Sequence, residues 1–234
     1  GSDHRDQDMD FKKHLGVGKE TPADVLTREL IQNSLDASND PNKPVTVKIH
    51  FTEINNQKKY FNHLIQHIDD GKFSEKNKLL MPGTEILADL DKDKVKCWIY
   101  EDFNTTGIAG DIDKKNEDEH EAFWFAHGLS IKKKKGSKGS WGLGKQTLTM
   151  SSSARCFFGL VNRSKDKREY FMGRCILAPH KYNNNKFLND AFFCSNATEE
   201  EDKHQIPFED EQDIDRFKKD FGFQREKEYG TSFA

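Results

Sequence analysis

The sequence predicts an α+β fold: a two-layer α/β sandwich in which one mixed, mostly antiparallel sheet carries helices on one face. Segments with strand-like alternation and segments with helical spacing intermingle along the chain, and a polar turn joins two strand-like segments into a hairpin. Strand–helix–strand units are too few for a doubly wound parallel sheet. We therefore expect one domain over residues 21–234, preceded by a polar, flexible segment 1–20.

Four segments have the spacing of amphipathic helices. The first, residues 25–37, follows a start signal in which Thr21 is the N-cap and Pro22 the first helical residue. Asn-Asp-Pro at residues 39–41 ends it. The other helices are predicted at residues 57–68, 120–127 and 213–221, with one further turn at 85–90.

The strands are predicted from alternation and from apolar runs. Residues 45–51 alternate apolar and polar side chains, which indicates a half-buried strand. Residues 95–100 have apolar side chains at both odd and even positions, as expected of a central strand that is buried on both faces. The hairpin comprises residues 154–161 and 169–177, and a last strand begins at residue 230. The Asn-rich, acidic stretch 183–205 is expected to be a loop.

The composition is that of a polar globular chain. Hydrophobic residues make up 34% and charged residues 33%, and the 18 Phe exclude a disordered chain, because disordered segments are poor in aromatic residues. A net charge of −3 gives no general case for binding nucleic acid or a membrane. No apolar run approaches the roughly 18 residues of a membrane span, and no signal peptide opens the chain. A cytoplasmic protein is therefore expected.

The cysteines suggest neither a zinc site nor a disulfide framework. The four, Cys97, Cys156, Cys175 and Cys194, form no C-x-x-C pair and have no histidine at zinc spacing. Three of them lie in apolar or aromatic runs. We expect buried free thiols in a reducing compartment.

The helix at residues 25–37 carries an unusual polar stripe. Glu29, Asn33 and Asp36 fall within about 60° of one another on a helical wheel, beside the apolar residues Leu26 and Leu30. A carboxylate and an amide oxygen one turn apart are suited to holding a water molecule and a metal ion. The stripe therefore predicts a site, in which Asp36 shapes the helix through a hydrogen bond.

A glycine-rich stretch at residues 139–145 suggests binding of phosphate. It matches the start of a P-loop, but Gln146 stands where a P-loop has Ser or Thr, and a lysine run (132–135) precedes it instead of a buried strand. The preferred interpretation is another anion-binding loop, in which backbone N–H groups approach a phosphate and Lys145 adds a positive charge. The alternative is a flexible surface loop.

Taken in chain order, these segments resemble the GHKL ATPase superfamily, which includes DNA gyrase, the large heat-shock chaperones, MutL-type repair proteins, MORC ATPases and histidine kinases. Residues 28–37, Arg-Glu-Leu-Ile-Gln-Asn-Ser-Leu-Asp-Ala, are similar to the family's N-box. Asp102 follows at a strand end, the glycine-rich stretch comes next, and Gly230-Thr231 lies near the end of the chain. The resemblance spans residues 20–234 and implies the Bergerat ATP-binding fold.

The resemblance also implies a role for each residue. Glu29 is the general base that deprotonates the attacking water, with Lys145 as the cation on the terminal phosphate. Asn33 binds Mg²⁺, Asp102 accepts a hydrogen bond from the adenine amino group, and Thr231 supports that aspartate. Residues 109–138 form a mobile lid. The implied nucleotide-binding set is Asn33, Ala37, Asp102, Asn104, Gly107, Ile108, Gly139, Ser140, Trp141, Gly142, Leu143, Gly144, Lys145 and Thr231.

One motif departs from the family pattern. The second family box is usually Asp-x-Gly-x-Gly, whereas here Asn104 and Thr106 replace the two glycines and Gly107 lies one place later. Asn tolerates the left-handed backbone region better than most residues, so we expect the turn to be kept.

The expected function is Mg²⁺-dependent binding and hydrolysis of ATP, with nucleotide state coupled to an ATP-dependent homodimer or to a transducer or effector domain after Ala234. One alternative is the histidine-kinase branch, which requires an upstream dimerisation helix with a phosphoacceptor histidine, and residues 1–20 are too short for one. A module that senses ATP without turnover is the other alternative, and Glu29 disfavours it. The lysine run 132–135 fits contact with phosphate, DNA or solvent equally well.

Overall fold

The computed structural model describes residues 22–54, 57–70, 72–73, 94–114, 118–125, 148–149, 151–187, 189–195 and 205–234. Within them the protein is α+β, with a six-stranded sheet in which every pairing is antiparallel. The α+β class and the antiparallel character of the sheet are therefore confirmed. The expected N-terminal segment 1–20, the turn at 85–90 and the glycine-rich stretch 139–145 lie outside the described residues.

Four helices follow the predicted segments closely. They are α1 (Pro22–Asp36), α2 (Gln57–Asp70), α3 (Glu119–Trp124) and α4 (Glu211–Phe221). α1 begins at Pro22, as its fixed backbone angle and missing N–H predict. α4 is closed at both ends: the side chain of Asp210 accepts hydrogen bonds from the backbone of residues 212 and 213, and Gly222 takes the left-handed conformation at the C-terminus.

The sheet brings together strands that are distant in sequence. Its strands are β1 (Thr46–Ile54), β3 (Val95–Phe103), β4 (Cys156–Asn162), β5 (Glu169–Ile176), β8 (Asp190–Phe193) and β9 (Gly230–Phe233). Their order is β1-β3-β9-β4-β5-β8. β9, from the end of the chain, therefore lies between β3 and β4 and closes the gap between the two halves of the sheet.

Helices cover both faces of this sheet, so the two-layer prediction with helices on one face was wrong. Successive residues of β4 point to opposite faces, and both sets are buried. On one face Phe157 and Val161 pack in a core with residues of α1 and α3. On the other face Phe158 and Leu160 pack in a second core with residues of α2 and α4. The sequence of β4 has no polar face, and this two-sided burial is the reason.

The expected loop at residues 183–205 was also partly wrong. A second, three-stranded sheet joins β2 (Lys72–Phe73), β6 (His180–Tyr182) and β7 (Asn185–Phe187), and β8 pairs with β5. Phe193 of β8 packs in the second core. The many Asn residues around β7 concealed two short strands: β7 forms a local hairpin with β6, whereas β8 pairs with the more distant β5.

Within the described part of the chain, no helix is long and apolar enough to cross a membrane.

All four cysteines are free. Cys175 is buried, whereas Cys97, Cys156 and Cys194 are partly exposed. Burial raises the pKa of the Cys97 and Cys156 thiols to about 12 and that of Cys194 to about 11. Burial also raises the pKa of Cys175 well above its usual range.

These pKa values predict unreactive thiols in the folded protein. Since the thiolate is the reactive form, a thiol of pKa about 12 should react at pH 8 at least ~100-fold more slowly than an ordinary cysteine of pKa about 8.5. Stopped-flow titration with a chromogenic disulfide reagent measures this rate, and the same protein in urea serves as the control. Rapid labelling of the native protein at any of the four positions would contradict the assignment.

Candidate functional site

The helix α1 contributes a buried stripe and an adjacent polar flank to the structure. Leu26 and Leu30 of α1 are buried against the sheet, and Ser34 continues the same stripe. Asn33 lies on the adjacent flank and borders a pocket, together with Ala37 just after the helix. Glu29 is half-buried one turn before Asn33. The helix thus places the predicted amide, Asn33, at the pocket, whereas the predicted carboxylate, Glu29, is not among the residues that line it.

Asp102, at the end of β3, is a lining residue of that pocket. Its side chain is buried and accepts three hydrogen bonds. Oδ2 accepts from the Ser34 hydroxyl at 2.6 Å, whereas Oδ1 accepts from the Thr105 hydroxyl and the Thr231 backbone N–H, both at 2.7 Å. A carboxylate oxygen has room for two hydrogen bonds, so Oδ2 retains one acceptor direction among the described contacts.

The Ser34 hydroxyl has one proton, and this decides in which of its hydrogen bonds it is the donor. Its single proton has two acceptors in range, Asp102 Oδ2 at 2.6 Å and the Leu30 carbonyl at 3.0 Å. The shorter, charge-assisted bond is the stronger of the two. Ser34 therefore accepts from the Tyr100 hydroxyl at 2.8 Å. Burial raises the pKa of Tyr100, which keeps its donor proton in place.

The pocket has apolar walls and a polar end formed by Asp102. Its free volume is about 30 Å³, which is the share of one water molecule in the liquid. The lining residues come from α1, β3, the following turn, α3, residue 148 and β9: Leu30, Asn33, Ser34, Ala37, Tyr100, Asp102, Thr105, Gly107, Ile108, Phe123, Leu148, Thr231 and Phe233.

The turn after β3 is built by two left-handed residues. Asn104 has φ 62°, and its side-chain amide donates to the carbonyls of Asp40, Lys43 and Pro44. Gly107 has φ 72°, and a Cβ there would lie 3.0 Å from the Asn162 carbonyl. The expectation that Asn104 keeps the turn is confirmed. However, it holds the loop after α1 and does not line the pocket.

A second polar network supports the same strand ends from the opposite face of the sheet. Arg225 is 2% exposed and donates to the backbone carbonyls of Asp102 and Thr231 and to the Ser232 hydroxyl. Burial lowers the pKa of Arg225, and the charges of Asp102 and Glu101 act in the opposite direction. The guanidinium stays protonated, because arginine does not lose its proton in proteins.

Glu101 completes this network. Its buried carboxylate accepts from the backbone N–H groups of Gln224 and Arg225 and from the Ser232 hydroxyl. Gly230, with φ 144°, lies so close that a Cβ would be 2.6 Å from Asp102 Oδ1. Only glycine fits there, so β9 can approach the Asp102 carboxylate with its backbone.

The structure brings together most of the predicted residues that it describes. Asn33, Ala37, Asp102, Gly107, Ile108 and Thr231 all line the pocket. Thr231 supports Asp102 through its backbone N–H, and the hydroxyl contact comes from Thr105. Asp36 accepts a hydrogen bond from Gln32, one turn earlier, which confirms its expected role in the helix.

Several contributors were not predicted from the sequence, namely Ser34, Tyr100, Thr105, Phe123, Leu148, Glu101 and Arg225. Ser34 follows Leu30 by four residues on the buried stripe, and that position was a usable signal. Arg225 lies in a polar stretch after α4, and nothing local distinguishes it from a surface arginine.

Part of the predicted lid lies within the described residues. Residues 109–114 and 118–125 include α3, in which Phe123 and Trp124 are buried in the core that α1 and the sheet share. Mobility of the segment stays a prediction. The remainder of the predicted lid, and the set Gly139, Ser140, Trp141, Gly142, Leu143, Gly144 and Lys145, lie outside the described residues.

Comparison with protein-family models, with curated proteins and with solved structures found no match to this chain. Among the described residues, no group of three or more His, Cys, Asp and Glu side chains is placed to hold a metal ion. The function is therefore argued from the pocket and its residues.

Replacing Ser34 with Ala tests the hydroxyl network. The substitution leaves Asp102 Oδ2 and the Tyr100 hydroxyl without a partner in a buried site, so we expect the free energy of unfolding to fall by about 1–3 kcal/mol. Urea denaturation measures the change, and Ser38→Ala, at an exposed position just after α1, is the matched control. Equal stability of both variants would mean that Ser34 does not support the aspartate.

Replacing Arg225 with Met tests the network on the other face. It leaves several buried acceptors unpaired, and we expect a loss of about 3–5 kcal/mol. Arg216→Met is the control, because Arg216 is an exposed residue paired with Asp213 three positions away, and such pairs contribute about 0–1 kcal/mol. The difference between the two urea midpoints is the measured quantity. A difference near zero would contradict the assigned role of Arg225.

Proposed function

We propose that the chain is a GHKL-type ATPase module, which binds ATP with Mg²⁺ and hydrolyses it to ADP and phosphate. One observation carries the proposal. A buried carboxylate, Asp102, forms the polar end of an apolar pocket that Asn33 of α1 also lines. The residues come from distant segments, and they meet in the arrangement that the motif order implies.

The pocket chemistry favours an adenine base. Asp102 Oδ2 retains an acceptor direction, and an exocyclic amino group is the donor that it would accept. The walls formed by Leu30, Ile108 and Phe233 are apolar and suit the faces of a flat ring. Guanine presents a carbonyl oxygen at the position where adenine has its amino group, and that oxygen would face the carboxylate unfavourably.

Binding requires the pocket to widen. A free volume of about 30 Å³ is far below the roughly 300 Å³ at the lower end of ligand pockets. Asp102, Thr105 and Thr231 are fixed by hydrogen bonds, whereas Leu148 belongs to the apolar lining of the pocket. We infer that the Leu148 side chain moves aside when a base enters.

The residues of α1 fit the phosphate end of the nucleotide. The amide oxygen of Asn33 is a hard ligand of the kind that Mg²⁺ accepts, and Mg²⁺ commonly uses few protein ligands together with substrate phosphates. When bound, the ion would neutralise charge on those phosphates. Glu29, one turn away and half-buried, is proposed to take the proton of the attacking water. The glycine-rich stretch and Lys145 are proposed for the phosphates from their sequence.

The Bergerat fold is part of this proposal. The antiparallel sheet and the N-box helix packed on it support the assignment, but the helices α2 and α4 on the opposite face depart from the implied two-layer pattern. Nucleotide state is proposed to control dimerisation or a following domain, because α1 and β9 both reach the pocket.

Substitution of Glu29, the proposed general base, tests the function. Glu29→Gln keeps the size of the side chain and removes the base, so ATP turnover should fall by about 100-fold or more while ATP affinity stays within about threefold. Asn33→Ala should lose affinity for Mg·ATP itself. Gln32→Ala, on the exposed side of the same helix, is the control and should leave turnover unchanged. Calorimetry measures binding, and phosphate release measures turnover.

Three results would count against the proposal in different ways. Absence of ATP and ADP binding to the wild-type protein by calorimetry would overturn it entirely. Binding without turnover would favour the sensing module over the ATPase. Full affinity and turnover after substitution of Lys145 would remove only the assignment of the glycine-rich stretch.

A further inference from the structure

The exposed large hydrophobic residues are concentrated at one place. Among the described residues there are five, and four of them belong to the neighbouring elements α1 and β1. Phe51 is 81% exposed, Leu35 55%, Ile49 44% and Ile31 36%. We call these four residues the α1–β1 surface. Singly scattered apolar residues are ordinary, whereas a contiguous group marks an interaction site.

Helix geometry shows why the four belong to one surface. Leu30 and Ser34 of α1 face the sheet, and Asn33 lies on the flank that borders the pocket. The pocket extends from β3 toward β9 and α3. Ile31 and Leu35 lie about 100° around the helix from Leu30 and Ser34, on the flank opposite Asn33. That flank is turned toward β1.

The strand supplies the rest of the surface on the same face of the sheet. Ile49 is paired with Tyr100 and Phe51 with Trp98. Paired residues of antiparallel strands point to the same face, and Tyr100 belongs to the core beneath α1. The side chains of Ile49 and Phe51 therefore emerge beside the outer flank of α1.

β1 is also an edge of the six-stranded sheet. It has nine residues and pairs with β3 on one side, and within the described residues no strand pairs with its other side. Natural edge strands are protected by shortness, a proline, a bulge or charged side chains. Thr46–Ile54 is long, pairs with β3 without interruption and contains no proline, and its charged residues are Lys48 and Glu53. The exposed Ile49 and Phe51 lie between these two charged positions.

We propose that the α1–β1 surface is the interface with a second copy of this chain, formed by antiparallel pairing of β1 with β1 of the partner copy. A two-fold axis perpendicular to the sheet at His50 pairs all nine residues, so that the two six-stranded sheets continue into one. Shifting the axis by one position to Ile49 or Phe51 shortens the pairing to seven residues.

The side-chain chemistry of this register is self-complementary. It sets Ile49 of each copy opposite Phe51 of the other, so the exposed apolar residues cover one another. On the other face Lys48 lies opposite Thr52, and no like-charged Lys or Glu residues oppose each other. Because the axis is perpendicular to the sheet, both α1 helices lie on the same face. Ile31 and Leu35 of each copy then border the paired Ile49 and Phe51 side chains, one copy on either side. The fit of the strand to itself identifies a second copy as the partner.

The test measures self-association without nucleotide, so its outcome is separate from that of the proposed ATPase. Sedimentation velocity over a range of concentrations should show a monomer–dimer equilibrium for the wild-type protein. Phe51→Lys should weaken dimerisation by roughly 30-fold or more, as expected when a central aromatic contact is lost. Phe187→Lys, at an exposed phenylalanine outside the surface, should leave it unchanged, and circular dichroism melting of each variant confirms folding.

The register is tested by crosslinking. His50→Cys places two thiols opposite each other at the axis, so mild oxidation should give a reducible dimer, whereas Asn42→Cys in the exposed loop before β1 should not. A wild-type protein that is monomeric at all concentrations overturns the proposal, as does a dimer that survives Phe51→Lys in the folded protein. If removing residues 1–21 converts a monomer into a dimer, the N-terminal segment occupies the surface instead, and the proposal is also wrong.

Discussion

The burial of the Asp102 carboxylate is the constraint on which the rest of the site depends. Removing a charged group from water costs several kcal/mol unless hydrogen bonds compensate. Here the compensating donors come from α1, from the turn after β3 and from β9. Ser34 is 68 residues and Thr231 129 residues from Asp102 in the sequence, and the carboxylate can be accommodated only when these segments meet. The same contacts that stabilise the charge therefore assemble the pocket.

Two adjacent carboxylates make this strand end rigid from both faces. Glu101 and Asp102 point to opposite sides of the sheet, because side chains alternate along a strand. Asp102 faces the pocket, whereas Glu101 faces the network of Arg225 and Ser232. The end of β3, held by hydrogen bonds on both faces of the sheet, does not adapt its shape to a ligand. Adaptation is left to the apolar residues that line the pocket, in line with the proposal that the pocket widens when a base enters.

The helix α1 connects the two proposals. One flank holds the sheet through Leu26 and Leu30, the second presents Glu29 and Asn33, and the third carries Ile31 and Leu35. If a nucleotide bound beside Glu29 and Asn33 displaced the helix, Ile31 and Leu35 would move with it, because a helix moves as a rigid body. A dimer built on the outer flank would thus be sensitive to the site without touching the ligand.

The sequence alone determined the helices, most strands and the polar stripe of α1, because apolar spacing and capping signals are local properties. It also located Asp102 and Thr231 at strand ends. It did not reveal Arg225, whose role depends on carbonyls distant in sequence, or the burial of α3. The sequence did not predict the number of layers either. A strand such as β4 is apolar on both faces, and the helices that pack on each face are known only from the tertiary structure. Tertiary structure decided two of the three hydrogen-bond partners of Asp102: Ser34 and Thr231 lie on distant segments, and only packing sets their distance, whereas Thr105 is three residues away.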